Sequence, residues 1–226
     1  MSIAIIALLI GILVPALGRA KSRAQQAVCA SNLHGLATAT ANYLHDNQDI
    51  YFPYFVDIAG GRNWWFGFEA HGPGTGANRP LDESQCFLAP YLTTVTSQIQ
   101  CPAFPYNTAG YFPKFAVHGA SLGYNIAQGN QMFGQTGHAD SVFVFADGIF
   151  FDTNPVFGEG FYIRYTPNTA AMSGYAHFRH SGKAQLVMAD GHVETQTSSG
   201  GNHMTVAGGT SGNLAAPDGS NVIYGP

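Results

Sequence analysis

The sequence contains few charged residues and no cluster of basic ones. Asp, Glu, Lys and Arg make up 10% of the 226 residues, whereas soluble domains usually contain roughly 25%. The formal net charge is −4, and nucleic-acid binding needs clustered Lys and Arg. We therefore expect no nucleic-acid partner. The hydrophobic content of 46% excludes disorder over the whole chain.

Familiar catalytic motifs are also missing. The chain has no phosphate-binding loop and no His-Glu-x-x-His helix. We therefore expect a protein that is not an enzyme and that holds neither a cofactor nor a metal. A calcium site remains an alternative, and it rests on acidic residues in predicted loops: Asp140, Asp147, Asp152 and Glu159.

An apolar run opens the chain. Residues 2–17 (SIAIIALLIGILVPAL) are apolar apart from Ser2, and as a helix they reach roughly 24 Å, a little less than the ~30 Å hydrocarbon layer of a bilayer. A signal peptide needs basic residues before such a run, but here Arg19, Lys21 and Arg23 follow it. The run thus predicts a helix for lipid or for a helix bundle, with these members: Ile3, Ile5, Ile6, Leu8, Leu9, Ile10, Ile12, Leu13, Val14, Pro15 and Leu17.

The same helix is predicted to continue to residue 47. Between residues 18 and 47 there is no proline, and apolar residues recur every three or four positions, which is typical of an amphipathic helix. Residues 1–47 are thus predicted to form a stalk of roughly 70 Å, membrane-inserted over 1–17 and a spine over 18–47, with a bend at Pro15. The predicted inner stripe contains Ala24, Val28, Leu33, Leu36, Ala37, Thr40, Tyr43 and Leu44.

Residues 48–197 predict a β-rich head. Gly and Pro interrupt this region every few residues, and the candidate strands are short. We expect strands at 141–146 and 161–165, one short helix within 82–92, and three strands over 175–197. Residues 198–226 are rich in Gly and Ser and predict a loose tail or an edge extension. The predicted fold class is α+β, with a long N-terminal helix on a mainly antiparallel head.

Histidines near the end of the head raise the possibility of zinc, because His177, His180, Asp190 and His192 are all ligand types. A strand between His180 and Asp190 would separate them by roughly 20 Å, too far for one site. We therefore expect a packing role for His180 and a hairpin turn at Asp190-Gly191. The aromatic residues Trp64 and Trp65 suggest a sugar platform or, more often at this density, a core or subunit contact.

Several blocks carry a resemblance to a known family. His180 and Asp190 have nine residues between them, as in a His-x9-Asp-Gly signature. The chain resembles type IV pilins and type II secretion pseudopilins, in particular the prepilin-like proteins of planctomycete and verrucomicrobial bacteria with this C-terminal signature. The blocks that match are the apolar run, Cys29 to Leu33, Phe52-Pro53, Leu88 to Leu92, Cys101-Pro102-Ala103, Gly123-Tyr124-Asn125, Phe145 to Gly148, Arg179 to Ala184 and Ala189 to Glu194.

The resemblance implies a pilin-like fold and a structural subunit of a pilus-like filament or secretion pseudopilus. The implied partners are copies of the chain, the inner membrane before assembly and the assembly machinery. The head would lie in the periplasm and then in a surface filament. The resemblance also favours a disulfide between Cys29 and Cys101 over one between Cys86 and Cys101. The signature residues would be structural: His180, Gly182, Asp190, Gly191 and His192.

Two alternatives stay open. One is a membrane-anchored extracytoplasmic hydrolase or carbohydrate-binding module that uses His180 and Asp190 or Trp64 and Trp65. The other concerns the start: family members have a basic leader and a Phe-Thr-Leu-Ile-Glu type opening, and alignment on Pro15 places about seven mature residues upstream of Met1. If Met1 were the native start, the basic residues 19–23 would favour a cytoplasmic head.

Overall fold

The computed structural model combines one long helix with a mostly antiparallel β domain, which confirms the α+β prediction. The helix packs against the main sheet, chiefly against the strands Lys183–Met188 and Phe143–Thr153. The structure describes residues 2–72, 76–106, 108–116, 119–135, 139–153, 156–163, 173–198, 205–206 and 209–212.

Helix α1 spans Ser2–Asp46, 45 residues, or about 67 Å. It passes through Pro15 without a break, as the sequence predicts. Residues 3–21 are all exposed, and the buried positions of α1 begin at Cys29. By length and composition α1 could cross a membrane, with a mean hydropathy of 2.3 over its most apolar 18 residues.

The inner face of α1 differs from the predicted stripe at its start. Ala24 and Val28 are exposed rather than packed on the head. Each residue turns a helix by about 100°, so the contact face instead passes through the next positions, Gln25 and Cys29, before it reaches Leu33. Further along, the prediction is correct, since these residues are buried or half-buried: Leu33, Leu36, Ala37, Thr40, Tyr43 and Leu44.

Strand β5 (Phe143–Thr153) organises the main sheet because its two halves have different neighbours. Its first half pairs with β9 (Lys183–Met188) and β4 (Leu122–Asn125). Its second half pairs with β8 (Ser173–Phe178) and β6 (Val156–Glu159). The neighbours change at Asp147 and Gly148, so these two residues lie at a junction of the sheet.

The remaining strands extend this sheet or form a smaller one. β10 (Val193–Thr197) pairs with β9, and β7 (Tyr162–Ile163) pairs in parallel with β4. The predicted strands over 175–197 are therefore confirmed, with turns at the predicted positions. The small antiparallel sheet contains β1 (Phe55–Ile58), β2 (Gly61–Trp64) and β3 (Gly67–Ala70).

Two sequence predictions need correction here. The expected single helix over 82–92 is two short 3-10 turns, Glu83–Gln85 and Ala89–Tyr91, followed by a short helix α2, Val95–Gln98. Pro90 explains the break, because it has no N–H to continue an earlier helix. The expected strand 161–165 is described only as β7, and residues 164–165 lie outside the described residues.

The C-terminal region contributes an edge to the sheet where it is described. β11 (Thr205–Val206) pairs with β12 (Gly209–Gly212), and β12 pairs with β8. This arrangement matches the edge extension, one of the two forms predicted for residues 198–226. Residues 213–226 lie outside the described part of the chain.

Aromatic side chains fill the core between the sheets and α1. Trp64 is 6% exposed and Trp65 is fully buried, and the Trp65 indole N–H donates to the Phe161 carbonyl at 2.6 Å. Neither ring is free to stack on a sugar. Their burial favours the core interpretation over the sugar platform.

Gly148 and Gly160 approach each other so closely that neither position has room for a side chain. A Cβ on Gly160 would lie 2.1 Å from the Ile149 nitrogen and 2.3 Å from the Gly148 carbonyl carbon. Both are backbone atoms, so the clash can be relieved only by moving strands. We expect Gly160→Ala to lower the free energy of unfolding by about 1–3 kcal/mol, measured by urea denaturation in detergent with tryptophan fluorescence.

The matched control is Gly18→Ala in the free part of α1, where a Cβ meets nothing within 4 Å. This change should leave the unfolding of the head unaltered. Equal urea midpoints for the two variants would contradict the close approach at Gly160.

Candidate functional site

A cluster of polar side chains is buried where α1 crosses the main sheet. Cys29 comes from α1, Asp147 from β5, and Cys101 from the loop that precedes β4. Arg179 and His180 follow the end of β8. Cys29, Cys101 and Asp147 are fully buried, and His180 is 2% exposed. The cluster thus joins the helix to three separate parts of the head.

The four potential ligand atoms lie close together. The Cys29 Sγ lies 3.2 Å from Asp147 Oδ1, and the Cys101 Sγ lies 3.3 Å from His180 Nε2. The same Nε2 lies 3.3 Å from Asp147 Oδ2. With one ligand atom taken from each of the four residues, all four lie within 4.8 Å of one another. The two thiols, one imidazole and one carboxylate therefore surround a common point.

Asp147 occupies the sheet junction for a clear reason. The pairing of β5 with β9 ends at Ala146, and the next N–H of β9, that of Gln185, donates to Asp147 Oδ2 at 2.8 Å. The carboxylate therefore replaces a strand carbonyl at the point where β5 changes neighbours.

Arg179 balances this carboxylate and satisfies further backbone groups. Its Nη2 lies 2.9 Å from Asp147 Oδ1, with both side chains almost completely buried. Nη2 also donates to the Ser121 carbonyl at 2.8 Å, and Nη1 donates to the Gly148 carbonyl at 3.2 Å. A buried charge is tolerated when it is paired and hydrogen-bonded in this way.

The charges of the cluster shift the pKa values of its members. Burial would raise the pKa of Asp147, but the Arg179 guanidinium and His180 outweigh it and hold that pKa well below its usual range. Burial would lower the pKa of His180, but its hydrogen bond to Asp147 raises it to about 9. Burial raises the pKa of Cys29. Burial would raise the pKa of Cys101, but hydrogen bonds with Cys29 and His180 and the charge of Arg179 outweigh burial and lower this pKa.

The geometry is unlike that of a cysteine nucleophile. In a Cys-His-carboxylate triad one imidazole nitrogen faces the thiol and the other nitrogen faces the carboxylate. Here Nε2 faces both Cys101 and Asp147, and the buried Nδ1 makes no hydrogen bond within the described part of the chain. Cys101 is also fully buried, so a substrate has no access to its sulfur.

The signature residues at the other end of β9 form a separate, exposed turn. Asp190 Oδ1 accepts from the His192 backbone N–H at 3.0 Å and lies 2.6 Å from its Nδ1. Gly191 has φ +92° and Gly182 has φ +80°, a region that favours glycine. The structure therefore places Gly182 and Gly191 at hairpin turns, and His180 contacts Asp147 rather than Asp190.

The acidic residues considered for calcium are not arranged as predicted. Asp147 and Asp152 lie in β5, and Glu159 ends β6, whereas Asp140 lies in an exposed turn. The loop assignment is wrong for the first three because β5 does not end at Asp147-Gly148. Burial with Arg179 lets the strand continue through this polar residue.

The cysteines are free thiols in the structure. Cys29 and Cys101, the predicted pair, are brought within 4.8 Å at their sulfurs, so their disulfide stays a prediction. Cys86 is buried outside this cluster. No local sequence pattern singles out Arg179 or connects Asp147 with the cysteines. A usable signal exists, since every member of the cluster lies in a block that carries the family resemblance.

A second candidate site is the apolar surface of α1. Its large side chains between residues 3 and 17 are 53–84% exposed, and no part of this segment is folded back on the head. The residues that form this surface are Ile3, Ile5, Ile6, Leu8, Leu9, Ile10, Ile12, Leu13, Val14 and Leu17.

The comparisons with known proteins return no relative. No family model matches the chain, and no curated protein or solved structure matches it either.

Proposed function

We propose that this chain is a pilin-like structural subunit, which waits in a membrane through α1 and then bundles with copies of itself into a pilus-like filament or secretion pseudopilus. The observation that carries the proposal is the apolar surface of α1, which is exposed over its whole length. The head would form the outside of the assembly.

The apolar surface of α1 is costly to leave in water. Burying each large aliphatic side chain is worth about 1.5–3 kcal/mol relative to water, so the ten exposed ones represent a cost of about 15–30 kcal/mol in water. The head does not cover them. Lipid or the helices of neighbouring copies are the two surroundings that remove this cost.

The division of α1 into two parts supports a filament subunit over a simple anchored enzyme. The second part of α1 is packed into the head, so the exposed part is held as a rigid extension of it. A rigid extension fixes the position of the head relative to a helix bundle. The features that would serve an enzyme or a sugar-binding module, His180 and Trp65, are both enclosed.

Little free energy is gained when such a helix moves from lipid to a bundle, because both surroundings are apolar. The proposal therefore includes an external assembly machinery that extracts the subunit. Arg19, Lys21 and Arg23 follow the apolar surface, where basic side chains can reach the lipid headgroups.

The test compares filaments sheared from cells that produce the wild-type chain, Ile10→Asp or Ile58→Asp. Ile10 and Ile58 are 53% and 47% exposed, but Ile58 lies in the head. A charge near the centre of a membrane helix costs about 2.5–3.5 kcal/mol, so we expect Ile10→Asp to abolish filaments in electron micrographs and Ile58→Asp to preserve them.

Normal filaments from Ile10→Asp would contradict the proposal, as would a wild-type chain that is a monomer in detergent-free buffer. Hydrolytic turnover that is lost in His180→Ala would instead support the anchored enzyme.

A further inference from the structure

We propose that Cys29, Cys101, Asp147 and His180 form a binding site for one structural zinc ion, which fastens α1 to the head. From the sequence we expect no metal, because the zinc candidates there are His177, His180, Asp190 and His192, which do not include the two cysteines. The site is independent of filament formation, and its test measures metal content.

The donor set suits zinc. Two cysteine sulfurs, one imidazole nitrogen and one carboxylate oxygen are all common zinc ligands, and four protein ligands make a closed, structural site. Thiolates together with imidazole select zinc over calcium or magnesium, which prefer oxygen ligands. The enclosure of all four residues leaves no open position for a substrate, as expected for a structural ion.

The distances also fit. Tetrahedral zinc with bonds of ~2.0–2.3 Å keeps its ligand atoms about 3.3–3.8 Å apart. The Cys101 sulfur and His180 Nε2 are 3.3 Å apart, and Cys29 and His180 lie 3.2 and 3.3 Å from the two different oxygens of Asp147. With one ligand atom taken from each residue, all separations stay within 4.8 Å. Contraction of the wider pairs by about 1 Å, through side-chain rotation, completes the tetrahedron.

The charges of the cluster also favour a divalent cation. Two thiolates and the Asp147 carboxylate carry three negative charges, and Arg179 beside Asp147 supplies one positive charge. A divalent cation supplies the other two, so the buried cluster becomes neutral. Binding requires both sulfurs to be thiolates and His180 to be a neutral imidazole that ligates through Nε2, so the protons held by these three side chains are released to solvent.

A disulfide between Cys29 and Cys101 is the rival use of the two sulfurs. It would remove both thiolates and leave His180 and Asp147 as a residual pair. The zinc site instead uses all four convergent side chains. The two states are mutually exclusive, which makes the experiment decisive.

The experiment uses the full chain in detergent, purified with a phosphine reductant, incubated with zinc chloride and dialysed against metal-free buffer. We expect one zinc per chain by elemental analysis. X-ray absorption at the zinc edge should show two sulfur neighbours at ~2.3 Å and two nitrogen or oxygen neighbours at ~2.0 Å. This measurement needs no variant and is therefore unaffected by misfolding.

Variants then assign the ligands. Cys29→Ser and Cys101→Ser should each lower zinc retention at least tenfold, whereas Cys86→Ser, a change at another buried thiol, should retain one zinc per chain. Cobalt should produce the intense visible bands of a tetrahedral site in the wild type and in Cys86→Ser only.

The proposal is overturned if the reduced wild-type chain retains no zinc, or if the bound zinc has no sulfur neighbours. It is also overturned if chain isolated without reductant from its native compartment contains a Cys29–Cys101 disulfide in full yield and no metal.

Discussion

Replacing Arg179 with Met should lower the free energy of unfolding by about 3–5 kcal/mol, because it leaves a carboxylate buried without its main partner. Asp147 is fully buried, and Arg179 approaches it at 2.9 Å. The Ser121 and Gly148 carbonyls would also each lose a hydrogen bond from the guanidinium. The measurement is urea denaturation of the full chain in detergent, with reductant and chelator present and the buried tryptophans as the probe.

The matched control is Arg62→Met. Arg62 pairs with Asp57 at 2.6 Å, but the Asp57 side chain is 61% exposed, and exposed ion pairs are worth about 0–1 kcal/mol. The double variant Arg179→Met, Asp147→Leu removes both charges and should recover much of the loss. A loss of under 1 kcal/mol for Arg179→Met would contradict the buried pair.

The second large effect should appear when the same substitution is made at two positions of α1. Leu36 is fully buried between α1 and the head, whereas Leu13 is 61% exposed. Leu36→Ala leaves a cavity in the core and should cost about 2–5 kcal/mol. Leu13→Ala should leave the urea midpoint of the head unchanged, since within the described residues that part of the helix is not buried against the head.

In membrane binding we expect the two variants to exchange their effects. Leu13→Ala removes apolar area from the exposed surface, so we expect it to weaken liposome flotation of the chain, whereas Leu36→Ala should leave flotation unchanged. If both variants destabilise the head equally, the separation of α1 into a free part and a packed part is wrong.

The fold is predictable from the sequence where local patterns decide it. The continuous run of helix formers predicts α1 to within one residue of its end at Asp46. The Ser181-Gly182 and Asp190-Gly191 pairs predict the turns on both sides of β9, because left-handed backbone favours glycine. Such features depend on neighbouring residues in the chain.

The buried cluster depends on tertiary contacts that no local pattern encodes. Asp147 follows an apolar strand and precedes Gly148, which is typical of a turn. Only the partner Arg179, 32 residues further on, makes it favourable to continue the strand. The start of the inner face of α1 is missed for a related reason: Gln25 contacts the Pro102 carbonyl and Cys29 contacts Asp147, so polar side chains define the contact where apolar ones are expected.

The position of Cys29 has a mechanical consequence. Residues 2–28 of α1, 27 in all, precede its first fully buried side chain, a lever of about 40 Å. Sideways force on the exposed part of α1 is multiplied at the base of this lever, and Cys29 with its neighbours bears the load before Leu33 or Leu36 does. We therefore expect peeling of the helix from the head to begin at this cluster.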